Sequence, residues 1–582
     1  MKLFIALKRI FQELINFFWY YPYFVTDQKT LTNESNIWKW IFRVRPFSFI
    51  LIFFLFIGGA FFLVNSYIYE LKPESKSTII EGVVKSKDFD GTLKVNPLIG
   101  PSETIDKYLT NIIYEPLFLT YPDKNPEGYL AESFLYSNNG KTLTIKLRAN
   151  IKWQDGKDFT SEDVVETFRR LKNIGELNNA GSDSIQDADI SANDPLTITI
   201  TTPNIISNLL ELINVRIMPK HILEAYSVNK FSAHPITKTP LGTGPFILVS
   251  STDSKVILTK NPYYWRGSVQ VNSYIFKLYD TEQEAIIGLK SGQIHIFNNL
   301  TIGTDIKLET NGNIELVKSP PIYNRYFAIY FNYSNEVLKN QTIRRGISLG
   351  INKELIIEKV GGLGAIANST IPSISWVQPK LSDSAYNVDK AKALIQSSKI
   401  DLQDVVLRIT YLDDSNREKV ANSIKDDLAL IGIQTKLESK TIDELQNQVL
   451  PSRDFDILLF GVETTSDPDR IRFWHEDAID FPGLNFSSYV SNIKSRGVLV
   501  DNKISRVNEI LEKGLSTLDK NLRKGYYQDL VEILEAESPA TILYHPIIET
   551  AVNKRIANFT LDNINLPEDR YINMYKWSFK KD

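Results

Sequence analysis

Four acidic residues crowd one stretch, Glu463, Asp467, Asp469 and Glu476, and five histidines are scattered elsewhere: His221, His234, His295, His475 and His545. Paired carboxylates hydrolyse glycosidic bonds when a fixed separation and a raised acid pKa divide their roles. Nothing in this spacing imposes that geometry, and Asp467 before Pro468 fits a helix cap with proline in the first turn. None of the histidines sits in HExxH or in an i, i+4 pair suited to zinc. His221 and His545 read as structural. Gly361-Gly-Leu-Gly364 lacks the GK[ST] of a phosphate loop and the spacing of a dinucleotide fingerprint, and reads as a loop after a helix at 353–360. With no nucleophile–base pair and no metal spacing, no catalytic residue, metal or cofactor is expected, and an enzyme is disfavoured.

The elements that must position any site are mixed. The chain has 582 residues, enough for more than one domain, with 43% hydrophobic and 23% charged residues. A net charge of −3 gives no basic face for nucleic acid. There is no cysteine, so disulfides, Cys-ligated metals and a lipid-modified cysteine anchor are excluded. Strand alternation appears at 143–148, 196–201, 255–259 and 274–278, and 79–95 reads as strand. Helical patterns cover 282–290, 388–396, 416–431 and 521–535. The order is that of an α/β protein. Thr160-Ser-Glu-Asp163 is a capping box that starts a helix on Val164, Val165, Phe168 and Leu171, with the Thr160 hydroxyl accepting from the Asp163 N–H. The pair Asp155-Gly156 before it is a turn.

Residues 47–69 carry no charge. At about 1.5 Å per residue they reach roughly 30 Å, enough to cross a bilayer. Lys2, Lys8, Arg9, Lys29, Lys39, Arg43 and Arg45 precede them, so the positive-inside rule places 1–46 in the cytoplasm and everything after Glu70 outside. A cleavable signal peptide is the rival reading. The apolar run starts too far from Met1 and is too long for one. Within 1–25, apolar residues at helical spacing suit either an interfacial helix or a partner-facing tail. Residues 70–77 form a polar tether.

Leu147-Arg-Ala-Asn-Ile-Lys-Trp-Gln-Asp-Gly-Lys-Asp-Phe-Thr-Ser-Glu-Asp-Val-Val165 has a wording of its own, and other pieces follow it in order. They include Met218-Pro-Lys-His-Ile222, Gly242-Thr-Gly-Pro-Phe246, Asn261-Pro-Tyr-Tyr-Trp265, Leu289-Lys-Ser-Gly-Gln-Ile-His-Ile296 and Ser466-Asp-Pro-Asp469. The set, with Tyr114-Glu-Pro-Leu117 before it, resembles the family 5 (peptide-type) extracellular solute-binding proteins of ABC transporters, from about residue 80 to the C-terminus. His295 stands where that family usually has Asp. The resemblance implies an α/β, two-lobed periplasmic-binding-protein type II (cluster C) fold with an extra subdomain in lobe one, preceded here by a single transmembrane helix. It implies lobe one from 78–115, 218–318 and 545–582, the subdomain at 116–217, and lobe two at 319–544. The two crossings between lobes act as the hinge.

In function the resemblance implies an extracytoplasmic receptor that captures oligopeptides and delivers them to ABC transporter permease subunits, in a periplasm or at a cell surface; the run 47–69 makes it membrane-anchored, and a monomer is expected. A sugar or metal-chelate binder, or a non-transport interaction protein on the same fold, are the alternatives. Implied ligand-facing residues are Glu103 and Thr104 in lobe one, and Arg325 and Tyr326 past the hinge. In lobe two they are the strand Phe460, Gly461, Val462, Glu463 and Thr464, together with Asn485. On that strand the peptide backbone pairs as an added strand. The family's amine-anchoring acid falls at Thr464. Glu463 is one residue off and faces the other way unless a bulge turns it. The aromatic usual at Gly461 is missing. Trp153 and Trp265 read as packing residues.

Overall fold

The computed structural model describes residues 77–87, 89–101, 103–174, 183–226, 231–298, 300, 312–381, 385–489 and 502–580. The segment 1–46 expected in the cytoplasm, the membrane span expected at 47–69 and nearly all of the expected tether lie outside them. Among the described residues no helix is long and apolar enough to cross a membrane.

Two large sheets organise residues 76–582. The first has seven strands in the order Ile314–Lys318, Glu549–Asn553, Ile296–Asn298, Thr78–Val84, Ser273–Tyr279, Lys255–Lys260 and Phe246–Ser251. The second has six: Gly364–Ile366, Ala540–Pro546 (β4), Arg325–Phe331 (β1), Ile457–Glu463 (β3), Val406–Leu412 (β2) and Gln434–Lys440. A separate four-stranded antiparallel sheet has the order Ala131–Ser137, Thr142–Leu147, Thr197–Thr201 and Asp189–Asp194. The chain leaves the first sheet after Lys318, enters the second at Arg325, and returns between Pro546 and Glu549. The result is the expected two-lobed α/β architecture.

Alternation decides which faces are buried. On β3, Leu458 and Val462 enter one core while Ile457 and Leu459 enter another on the opposite face. The segment expected as strand over 79–95 is strand only at Thr78–Val84, where it runs parallel to Ser273–Tyr279; the rest is irregular.

Helix Thr104–Ile113 (α1) is fixed from two sides. Loop 242–244 lies on its C-terminal end so closely that a Cβ at Gly242 would meet the Ile113 oxygen at 1.8 Å, and one at Gly244 the Ile112 oxygen at 2.0 Å. Only glycine permits that approach. On the core side Tyr108 lies under the Arg570 guanidinium at 4.3 Å. Arg570 and Glu81 are both fully buried and 2.9 Å apart, with Tyr571 and Tyr274 donating to the Glu81 carboxylate. A buried charge held this way is costly to disturb.

Helix starts follow side-chain acceptors. Asp414 caps Ser415–Leu430 (α2) and Asp519 caps Lys520–Glu537, each accepting two backbone N–H groups. Before Ser161–Ile174 the expected box is half reversed. The Asp163 carboxylate accepts the Thr160 N–H at 2.8 Å, while the Asp163 N–H goes to the Thr160 carbonyl. That carboxylate is occupied further by the Trp153 indole and the Lys220 N–H. Asp467 does not cap a helix as expected. It pairs with Arg523 at 2.7 Å, and the next helix starts only at Ile471.

Candidate functional site

β3 has a neighbour on both sides for only part of its length. It pairs with β1 throughout, from Phe331↔Ile457 to Arg325↔Glu463, without a break in register. On its other side β2 reaches only Ile457, Leu458 and Leu459. Phe460 to Glu463 therefore present an edge that no strand of the sheet covers, at the margin of the gap between the lobes. Such an edge offers backbone N–H and C=O groups to an added extended segment.

Two cavities lie beside this end of the strand pair. One, of about 400 Å³, is lined by Lys107, Asn111, Glu211, Arg216, Glu568 and Asp569 from the first lobe and by Asn324, Thr464 and Thr465 from the second. The other, of about 320 Å³, is lined by Arg325, Phe327, Arg417 and Tyr544, with Glu549 and Pro567 opposite. Glu463 connects them. Its carboxylate lies 3.8 Å from Lys107 Nζ, which lines the first, and 3.5 Å from Arg325 Nη2, which lines the second.

Sequence-derived residues divide on this frame. Arg325, Glu463 and Thr464 reach the cavities or the bridge between them, and Thr464 is held by its N–H to the Asn324 carbonyl at 2.7 Å. Gly461 has its Cβ position occupied: a methyl there would meet the Phe327 ring at 2.6 Å. The Phe327 ring stacks on Tyr544 at 4.9 Å and 21°, with the Arg417 guanidinium 5.4 Å from it. An aromatic from the paired strand thus fills the place where one was missing. Phe460 turns the other way, against Phe486.

Val462 is buried, and so are Tyr326 and Asn485, both at 0% exposure. The Tyr326 ring belongs to the core beneath β1, because its position alternates away from that of Arg325. Asn485 is spent within its own loop, donating to the His475 carbonyl at 3.2 Å and accepting the Tyr489 N–H at 3.4 Å. Glu103 stands at the start of α1 and accepts from the Ser86 hydroxyl at 2.5 Å. Thr104 lines a separate space of about 210 Å³ in the first lobe. The α1 residues that reach the cleft cavity are instead Lys107 and Asn111, one turn apart on one face. Their i, i+4 spacing was the available signal.

Charge is concentrated at the seam. Burial and the nearby Asp467 charge push the Glu211 carboxyl up to about 8. Burial and Asp467 likewise push Asp469 up to about 6. Asp469 accepts from the Asn208 amide of the first lobe at 3.0 Å. Burial raises Asp569 as well, although it accepts the N–H groups of Asn565 and Leu566. Arg470, fully buried, donates to the carbonyls of Thr370, Asp467 and Asp469 and so fixes the loop beyond β3. More contacts cross between the lobes: Ser207 to Leu515 and Gly514, Trp376 to Pro122, and Lys520 to Asn125 at 3.2 Å. Among the described residues there is no group of three or more His, Asp or Glu that could hold a metal ion.

Comparison with known proteins agrees with the two-lobed fold. Oligopeptide-binding protein AppA of Bacillus subtilis is 24% identical over 497 residues, covering 81% of this chain and 87% of its own. The structure of AppA in complex with a nonapeptide matches with a TM-score of 0.67 at 22% identity, over 87% of this chain and 99% of that one. The ABC transporter substrate-binding protein CtaP of Listeria monocytogenes matches at 0.75 and 22% identity, over 87% and 99%. NikZ of Campylobacter jejuni, in complex with Ni(L-His), matches at 0.70 and 21%, over 87% and 100%. The profile described as "Bacterial extracellular solute-binding proteins, family 5 Middle" matches residues 125–475. With its two lobes, its open strand edge and this match over more than half its length, the chain belongs to the family 5 bacterial extracellular solute-binding proteins.

Proposed function

We propose that the chain captures oligopeptides in the gap between its lobes and hands them to an ABC-type permease, acting as a monomeric receptor and not as an enzyme. The uncovered edge Phe460–Glu463 carries this reading. It supplies backbone groups that pair with any peptide regardless of side chain. The neighbouring cavities of about 400 and 320 Å³ give side chains room. The AppA complex with a nonapeptide supports the same ligand class. Of the residues named from sequence, Arg325, Gly461, Glu463 and Thr464 are the contacts we assign, joined by Lys107, Phe327, Arg417 and Tyr544.

Ligand touches both walls only when the lobes meet, so binding shifts the molecule toward the shut state. The two crossings, 319–324 and 547–548, are the hinge in this reading. We infer further that residues 47–69 tether the receptor, with the binding lobes outside the membrane. Native mass spectrometry of the purified protein tests the function: an added mass of peptide size is expected. A sugar or a metal complex in its place overturns the peptide assignment.

A further inference from the structure

Glu463 is the only acidic side chain on the uncovered edge, and so is where the ammonium of an extended peptide would pair. Its carboxylate already has two cations. Arg325, directly across the strand pair, lies 3.5 Å away, and Lys107 reaches it from the opposite lobe at 3.8 Å. The same Lys107 ammonium sits 3.2 Å from Oε1 of Glu568, whose side chain is only 6% exposed. The other Glu568 oxygen, Oε2, is buried without a hydrogen-bond partner among the described residues. Two carboxylates thus face two cations, and the cluster is neutral before any ligand arrives. An incoming ammonium would have to displace Lys107, leaving it against a second positive charge and depriving Glu568 of its counterion.

We propose that Lys107 is a built-in ammonium that takes, at Glu463, the place of a ligand's own amino group, so that the cleft selects peptides whose end there carries no free ammonium, as in N-acylated peptides. The proposal rests on the peptide-receptor reading and deepens it. Lys107 is in this view a specificity-determining residue acting by exclusion, with a like charge held where the wrong ligand would put its own. Arg325 alone would not suffice, since it comes from the same lobe as Glu463 and leaves the first cavity open to an ammonium. Lys107 closes that side when the lobes meet.

The test is competition. The full-length protein, stripped of ligand, is offered a randomised pentapeptide library, half N-acetylated and isotopically marked, half with free amines, and retained peptides are counted by mass spectrometry. The wild type is expected to retain acetylated over free peptides by roughly tenfold or more, the scale of one like-charge contact in a partly solvated site. Lys107→Gln should shift that ratio toward free amines by a similar factor, and Lys107→Arg, which keeps the cation, should not. A wild type that retains free amines equally or better, or a ratio unmoved in Lys107→Gln, overturns the proposal while the receptor reading stands. Retention of neither half removes the peptide reading and the proposal together. Circular dichroism melts of both variants confirm that a shifted ratio comes from folded protein.

Discussion

Glu211 places its carboxylate between the Thr120 hydroxyl, at 3.3 Å, and the backbone N–H of Asp467 in the other lobe. Burial raises its pKa most and the facing Asp467 carboxylate adds to it; together they outweigh the two hydrogen bonds and the facing Arg470 guanidinium, which lower it, and the carboxyl is pushed from 4.5 up to about 8. Between those values the folded chain holds a proton that the unfolded chain has released. Stability must therefore fall as pH rises across the window. Glu211→Gln, which keeps the shape without the charge, should remove that part of the slope. Thermal melts are expected to show a gain of a few degrees at pH 8 and little change at pH 5. A residual slope from Asp469, pushed up to about 6, should remain below pH 6. An equal gain at both pH values would show that the Glu211 charge is not its source.

At the scale of elements, the edge of β3 works because β1 supplies what β3 lacks. The Phe327 ring covers Gly461, and its stack on Tyr544 ties β1 to β4. Gly461→Val would press a side chain into that ring, and Phe327 would have to leave its stack. Ligand affinity should fall about tenfold or more, consistent with an overpacking strain of about 1–3 kcal/mol. Adding Phe327→Ala to Gly461→Val should recover part of the loss, because the obstruction goes with the ring. Titration calorimetry of the single and double variants reads this directly, and a double variant worse than the single would refute the coupling.

Strands and helices were legible in the sequence wherever one periodicity ran clean, but of the elements that carry this site only α2, expected at 416–431, was read that way. The helix expected at 282–290 is Glu282–Lys290, and that expected at 521–535 is Lys520–Glu537. The strand expected over 79–95 failed past Val84, where the polar run Lys85-Ser-Lys-Asp88 and then Gly91 interrupt the apolar pattern. Glu463 could be suspected, but its partners could not. Lys107 lies 356 positions earlier in the chain and meets Glu463 only because the lobes come together. Phe327 over Gly461 was equally hidden, because it depends on the register of β1 against β3. Tyr326 and Asn485 came from resemblance, which transfers positions but not the direction a side chain faces.

For the whole molecule, the two crossings between lobes run side by side. The Ser319 N–H donates to the Ile548 carbonyl, the Ile548 N–H to the Ser319 hydroxyl at 2.9 Å, and the Ile322 N–H to the Pro546 carbonyl at 2.8 Å. Two short strands of chain tied together can flex as one joint, whereas the lobes they connect have cores of their own and resist bending. Motion should therefore appear at the far rim, where Lys520 touches Asn125 and Trp376 touches Pro122. With no native cysteine, two introduced thiols report without interference. Asp123→Cys and Asn521→Cys place spin labels on exposed positions on either side of that rim. Electron–electron distance measurements on the ligand-stripped protein should give a broad distribution that moves shorter by several ångströms and narrows when peptide is added. In Lys107→Gln the stripped protein should shift further toward long distances, because an ion pair joining the lobes at Glu463 is gone. A distribution that ignores both peptide and Lys107→Gln would mean that the rim contacts, and not the ligand, hold the lobes together.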